Sequence, residues 1–123
     1  MSAGRTVTVR TLDHGDVTLP EPSWCLGRHA QDVYQTDIWH EGEEVPLLVT
    51  TPCHGRVPLL TATVVQKPFA ADDAVHLAVD FGGDAHELSS REVRGLSGEL
   101  VSLGRGLEWL ADRVAAFETG DAS

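Results

Sequence analysis

The stretch AVHLAVDFGGDAHELSSREVRGLSGEL, residues 74–100, contains the change of pattern that decides the fold. Its first half alternates apolar and polar residues as a strand does, and Gly82 with Gly83 predicts a hairpin turn onto a short second strand. Ser89-Ser90-Arg91-Glu92 has the form of a capping box at the start of a helix. Beyond it, apolar residues recur at spacings of three and four. The chain therefore passes from strands to a helix within this stretch.

The predicted helix covers about residues 90–118 and carries one apolar seam with heptad spacing. We expect a kink at Gly104-Arg105-Gly106, because each glycine weakens a helix by about 1 kcal/mol. The seam predicts an amphipathic helix that packs across a sheet, and the alternative adds self-association along the same seam. Its residues are Val93, Leu96, Leu100, Leu103, Leu107, Leu110, Val114 and Phe117.

Upstream of the helix, the sequence favours short strands separated by turns rich in glycine, proline and aspartate. Pro20 and Pro22 are expected to end the second strand, because proline cannot donate a backbone hydrogen bond. We predict an α+β fold in which an antiparallel meander of five to seven strands packs against one long C-terminal helix. Residues 1–123 form one domain, with a disordered tail at about 119–123. The predicted strands are 5–12, 16–19, 33–40, 44–51, 57–66, 74–81 and 85–88.

The composition bounds the possible partners. A formal net charge of −10, with 19 acidic and nine basic residues, argues against binding to nucleic acid or to an acidic membrane surface. The N-terminus has no apolar segment typical of a signal peptide, and no run of about 18 apolar residues occurs. We therefore expect a cytoplasmic protein whose Cys25 and Cys53 are reduced.

The loop PEPSWCLGRHAQD, residues 20–32, places Cys25 and His29 four residues apart. A thiolate and an imidazole are typical zinc ligands, but a site needs one or two more. If the predicted strands 33–40 and 44–51 pair around Gly42, Cys53 and His54 lie near His29. His40 would then lie some 20 Å away by strand rise. The competing interpretation is that Cys25 is a small buried packing residue.

The chain resembles a family of short actinobacterial proteins of unknown function. The shared elements are Trp24-Cys25 with His29, then His40-Glu41-Gly42, and the Leu- and Ala-rich helical segment 89–117. The resemblance implies that His40 is a ligand, in a zinc-like set of two cysteines and two histidines. Here Glu21 stands where many members have the second cysteine, so the fourth place falls to Glu21 or Cys53. The predicted zinc ligands are Cys25, His29, His40 and Cys53.

The sequence lacks the motifs of the common catalytic sites. Neither Gly-x-Ser-x-Gly, nor a P-loop, nor His-Glu-x-x-His occurs. We predict a small non-enzymatic protein-interaction or regulatory module, stabilised by a structural zinc, with a protein partner and a homodimer through the C-terminal helix. The alternatives are a metal-dependent enzyme with an open zinc position and a small-ligand binder that uses the open face of the sheet.

Overall fold

The computed structural model of the protein describes residues 4–120. The chain divides into two compact units, of which the first ends at Ser89 and the second begins at Ser90. Antiparallel sheets make up the first unit and one long helix makes up the second, which confirms the predicted α+β class. The single domain over residues 1–123, and the packing of the helix on the sheet, stay predictions. Residues 121–123 of the predicted tail lie outside the described residues.

The smaller sheet pairs two strands, β1 (Arg5–Arg10) and β2 (Asp16–Glu21). Their alternation turns Val9 and Leu19 into the core, where Ile38 joins them. β2 does not end at Pro20 as predicted but continues to Glu21. Both strands of a two-stranded sheet are edge strands, and proline is tolerated there.

The larger sheet has five strands around the long central strand β5, and neighbouring strands pair antiparallel. β6 and then β7 follow on one side of β5. β3 and β4 both pair with its other edge, one after the other. The strands are β3 (His40–Glu41), β4 (Val45–Thr51), β5 (Gly55–Gln66), β6 (His76–Phe81) and β7 (Asp84–Leu88).

The predicted strand at 33–40 is wrong over most of its length. The chain forms one turn of 3-10 helix, Gln35–Asp37, and only His40 lies in a strand. The Asp13 carboxylate accepts a hydrogen bond of 2.9 Å from the backbone N–H of Gln35, which holds the turn in place. The same hydrogen bond lowers the pKa of Asp13.

The predicted pairing of segment 33–40 with segment 44–51 is also wrong. β4 pairs with β5 instead, with Thr51 opposite Gly55, so Cys53 lies in the turn between these two strands. His40 pairs with Gln66 at the other end of β5. The 12 residues from Gly55 to Gln66 span on the order of 35 Å at the usual strand rise. Cys53 therefore lies at the far end of the sheet from His40.

The helix α1 runs unbroken from Ser90 to Glu118, through both glycines of the Gly104-Arg105-Gly106 step. It starts at the predicted capping box. None of its residues is buried. Among the described residues, no helix is long and apolar enough to span a membrane.

Candidate metal centre

Three elements of the first unit bring four metal-ligating side chains together. β2 ends at Glu21, the following loop carries Cys25 and His29, and β3 begins at His40. One ligand atom from each of these residues lies within 4.8 Å of the others. The arrangement is a candidate site for one metal ion.

Backbone hydrogen bonds shape the loop between β2 and β3. The N–H of Cys25 donates to the carbonyl of Pro22 at 3.0 Å, and the N–H of Leu26 donates to the carbonyl of Glu41 at 2.9 Å. Gly27 has a φ of 80°, a left-handed conformation that glycine adopts without strain. Its N–H points at the Cys25 Sγ from 3.4 Å.

Arg5 fixes the loop from the side of β1. Its Nη2 donates to the carbonyl oxygen of Cys25 at 2.9 Å and lies 3.4 Å from that of Pro22. A guanidinium that bonds backbone carbonyls fixes the position of the loop without occupying a ligand atom. The smaller sheet therefore holds the thiol in place.

The distance from Cys25 to His29 matches that between ligands of a tetrahedral zinc, and the two contacts of Glu21 are about 0.5 Å shorter. Glu21 Oε1 lies 2.8 Å from His29 Nε2 and 2.9 Å from His40 Nδ1. Cys25 Sγ lies 3.8 Å from His29 Nε2. Zinc–ligand bonds of about 2.0–2.3 Å at tetrahedral angles separate the ligand atoms by about 3.3–3.8 Å. An ion therefore needs only small adjustments of these side chains.

One ring nitrogen of each histidine is buried without a hydrogen-bond partner among the described residues. These atoms are the Nδ1 atoms of His29 and His40. The His40 nitrogen lies close to Glu21 Oε1 but at an angle that makes no hydrogen bond. Buried imidazole nitrogens are normally satisfied, and the unpaired His40 Nδ1 faces the ligand atoms, so it is available to bind a metal ion. In His29 the nitrogen that faces Glu21 and Cys25 is Nε2.

The site is almost closed to solvent, which sets its electrostatics. The side chains of Glu21 and His29 are 3% exposed and that of His40 is 2% exposed. Burial lowers the pKa of His40, and the charge of His29 adds to this, so His40 favours the neutral form that binds metals. Burial would raise the pKa of Glu21, but hydrogen bonds from His29 and Cys25 and the charges of both imidazoles lower it.

Trp24 and Gly42 close one side of the cluster. The Trp24 ring meets His40 edge-on with a centroid separation of 6.1 Å. A Cβ on Gly42 would lie 3.2 Å from the Trp24 carbonyl oxygen and 3.5 Å from its ring. Glycine therefore allows β3 to approach the loop, which gives a physical reason for the His-x-Gly element.

The structure brings three of the four predicted ligands together. Cys25, His29 and His40 lie in the cluster, whereas Cys53 is exposed in the β4–β5 turn. The fourth member of the cluster is Glu21, the alternative to Cys53. Its signal in the sequence is spacing, because Glu21 precedes Cys25 by four residues just as Cys25 precedes His29. The role of these residues as metal ligands stays a prediction.

A cleft of about 400 Å³ borders the cluster on the side of His29. Arg28 and Lys67 contribute positive charge to its walls, and Asp37 and Glu41 contribute negative charge. Lys67 Nζ lies 5.6 Å from the centroid of the Trp39 ring, which also lines the cleft. Solvent thus comes near the cluster here, although the four side chains themselves are covered.

Comparison with known proteins places the chain in a family. Residues 6–116 match the family described as "Domain of unknown function (DUF6907)". The chain belongs to this family. The match is consistent with the uncharacterised family that the sequence resembles, while its actinobacterial origin stays a prediction. No curated protein and no solved structure matches the chain.

Proposed function

We propose that this protein is a small, cytoplasmic, non-enzymatic interaction module whose strand unit is stabilised by one structural zinc ion. Its ligands are Glu21, Cys25, His29 and His40. The observation that carries the proposal is the convergence of four ligand atoms within 4.8 Å. This cluster joins the end of β2, the loop and the start of β3, so one ion would crosslink three segments of the chain.

The donor set supports zinc over other common ions. Thiolate and imidazole suit zinc, whereas calcium and magnesium take oxygen ligands. One thiolate and one carboxylate also neutralise the two charges of the ion. A neutral complex is the arrangement that costs least to bury.

Enclosure supports a structural role over a catalytic one. A catalytic zinc keeps a position open for water or substrate, whereas a structural zinc has four protein ligands. All four ligand side chains are buried. The cleft beside His29 is the observation that favours the alternative, a metal-dependent enzyme with an open zinc position.

The interaction role is supported by the apolar surface of α1. The helix has no buried residue, and large side chains such as Trp109 and Leu107 are 58% and 67% exposed. Extended apolar surface of this kind marks protein–protein interaction sites. We propose that a protein partner covers it.

Metal analysis of the purified protein tests the zinc centre. We expect one zinc per chain, loss of the metal in Cys25→Ser, and full retention in the matched control Cys53→Ser. Because metal binding and local folding are linked, a strong chelator should shift tryptophan fluorescence and expose residues 20–32 to protease. Absence of metal, together with an unchanged melting temperature in Cys25→Ser, would refute the proposal.

Cobalt substitution separates the structural from the catalytic role. Four protein ligands predict an intense tetrahedral cobalt spectrum that azide leaves unchanged. An open position predicts a spectrum that shifts on addition of azide, and this result would favour the enzyme.

A further inference from the structure

The apolar seam of α1 is exposed over its central and C-terminal parts. Five of its eight positions are exposed and the other three are half-buried. Leu103 and Leu107, at its centre, have the highest exposed fractions of the large apolar side chains in residues 4–120, at 64% and 67%. The centre of the seam therefore has the most apolar surface to gain from a partner.

The helix also needs a partner for its own stability. Gly95, Gly98, Gly104 and Gly106 each cost about 1 kcal/mol relative to alanine in a helix interior. Helices in proteins owe most of their stability to the packing of an apolar face. A glycine-rich helix of 29 residues with no buried side chain is therefore a helix that packing must stabilise.

We propose that the partner is α1 of a second copy of this chain, packed antiparallel with the two-fold axis between Leu103 and Leu107. This inference rests on the proposed interaction role. The axis places Leu103 against Leu107 of the second copy and Leu100 against its Leu110. Each seam residue then faces another seam residue, outward to Val93 against Phe117, so eight apolar layers form without a mismatch.

Charges flanking the seam complement each other in this arrangement. Glu99 and Arg113 both lie one residue before a seam position, and the antiparallel register brings them together twice per dimer. Arg113 is held beside the seam, because its guanidinium lies 5.0 Å from the Trp109 ring and 5.4 Å from the Phe117 ring. Glu99 has no ion-pair partner within the described part of the chain.

The net charge of the first unit argues against the parallel arrangement. Up to Ser89 the chain has 13 acidic and five basic residues, a net charge of −8. In a parallel pair both helices begin at the same end, so the two acidic first units are joined to the pair at that end as well. An antiparallel pair separates the two Ser90 residues by about 45 Å at 1.5 Å per residue, well beyond the screening length of about 10 Å.

The central glycines leave room for the second helix. Gly104 and Gly106 flank the axis, and a Cβ on either would meet no atom within 4 Å. A groove of about 530 Å³ opens at Gly106, with Leu103, Leu107 and Leu110 among its walls. The groove can accept a leucine side chain of the second copy, as a hole accepts a knob in a coiled coil.

Sedimentation equilibrium of the full chain tests the self-association and its register. We expect a dimer whose dissociation constant rises about tenfold in Glu99→Arg and in Arg113→Glu, and returns to the parent value in the double variant. Glu108→Arg is the matched control. Glu108 follows a seam residue instead of preceding one, so its side chain points away from the second helix in this arrangement. A monomer at every concentration, or a double variant that is not rescued, would overturn the inference.

Spin labels test the orientation. Arg91→Cys in a Cys53→Ser background carries one exposed cysteine per chain, close to the start of α1. We expect a distance of about 40 Å between the two labels. A distance of about 20 Å means a parallel pair and overturns the inference. Zinc content, measured on the same samples, keeps failure of the dimer distinct from failure of the metal centre.

Discussion

Replacing Gly42 by alanine tests how closely the metal-binding loop and β3 are held together. The new Cβ would lie 3.2 Å from the backbone oxygen of Trp24, closer than ordinary contact. That oxygen cannot retreat easily, because Arg5 bonds the next carbonyl, that of Cys25, at 2.9 Å and Leu26 bonds Glu41 at 2.9 Å. The loop must therefore move by a few tenths of an ångström.

The expected cost of this change follows from two opposing terms. Overpacking costs about 1–3 kcal/mol, and the lower entropy of alanine in the unfolded chain offsets about 0.4–1 kcal/mol. We therefore expect the free energy of unfolding to fall by about 1 kcal/mol. For a unit of this size, that corresponds to a melting temperature about 5 °C lower.

Urea denaturation followed by tryptophan fluorescence measures this loss. Gly4→Ala is the matched control in the same unit, because a Cβ there meets no atom within 4 Å. Its free energy of unfolding should stay within about 0.5 kcal/mol of the parent. Zinc affinity should fall in Gly42→Ala and not in Gly4→Ala. A shift of the Trp24 backbone also moves Cys25, the proposed ligand that follows it. A Gly42→Ala protein as stable as the parent would show that the loop moves without cost, and would contradict the close packing inferred at Gly42.

Three further substitutions test other parts of the first unit. Ile38→Ala removes a side chain that is 2% exposed beside Val9 and Leu19, and should lower the free energy of unfolding in urea by about 3 kcal/mol. Glu21→Gln replaces an anionic ligand by a neutral amide and should weaken zinc binding about tenfold or more in competition with a chelating dye, whereas unchanged affinity would remove Glu21 from the ligand set. Cys53→Ser should keep the parent melting temperature, because the side chain is exposed in a turn, and a clear loss would contradict the β4–β5 register.

The sequence by itself determined the features that depend on local pattern. The heptad spacing and the capping box placed α1 correctly, because helical hydrogen bonds join residues only four apart. Alternation and turn residues likewise located β4 to β7, because a strand's side-chain period is visible within a few residues. Cys25 and His29 were candidates for the same reason, since their spacing is local.

Only the tertiary structure decided which strands are neighbours, and with that the fourth member of the cluster. The alternation of β4 fits pairing with the segment before it or with the segment after it. Because β4 pairs with β5, Cys53 lies in their connecting turn and not beside His29. The turn at Gln35 depends on Asp13, 22 residues earlier in the chain, so no local pattern could reveal it. Glu21 reaches the histidines because β2 continues past Pro20, which an edge strand permits. Contacts between distant segments depend on how whole strands pair, and the residues of one segment do not encode that choice.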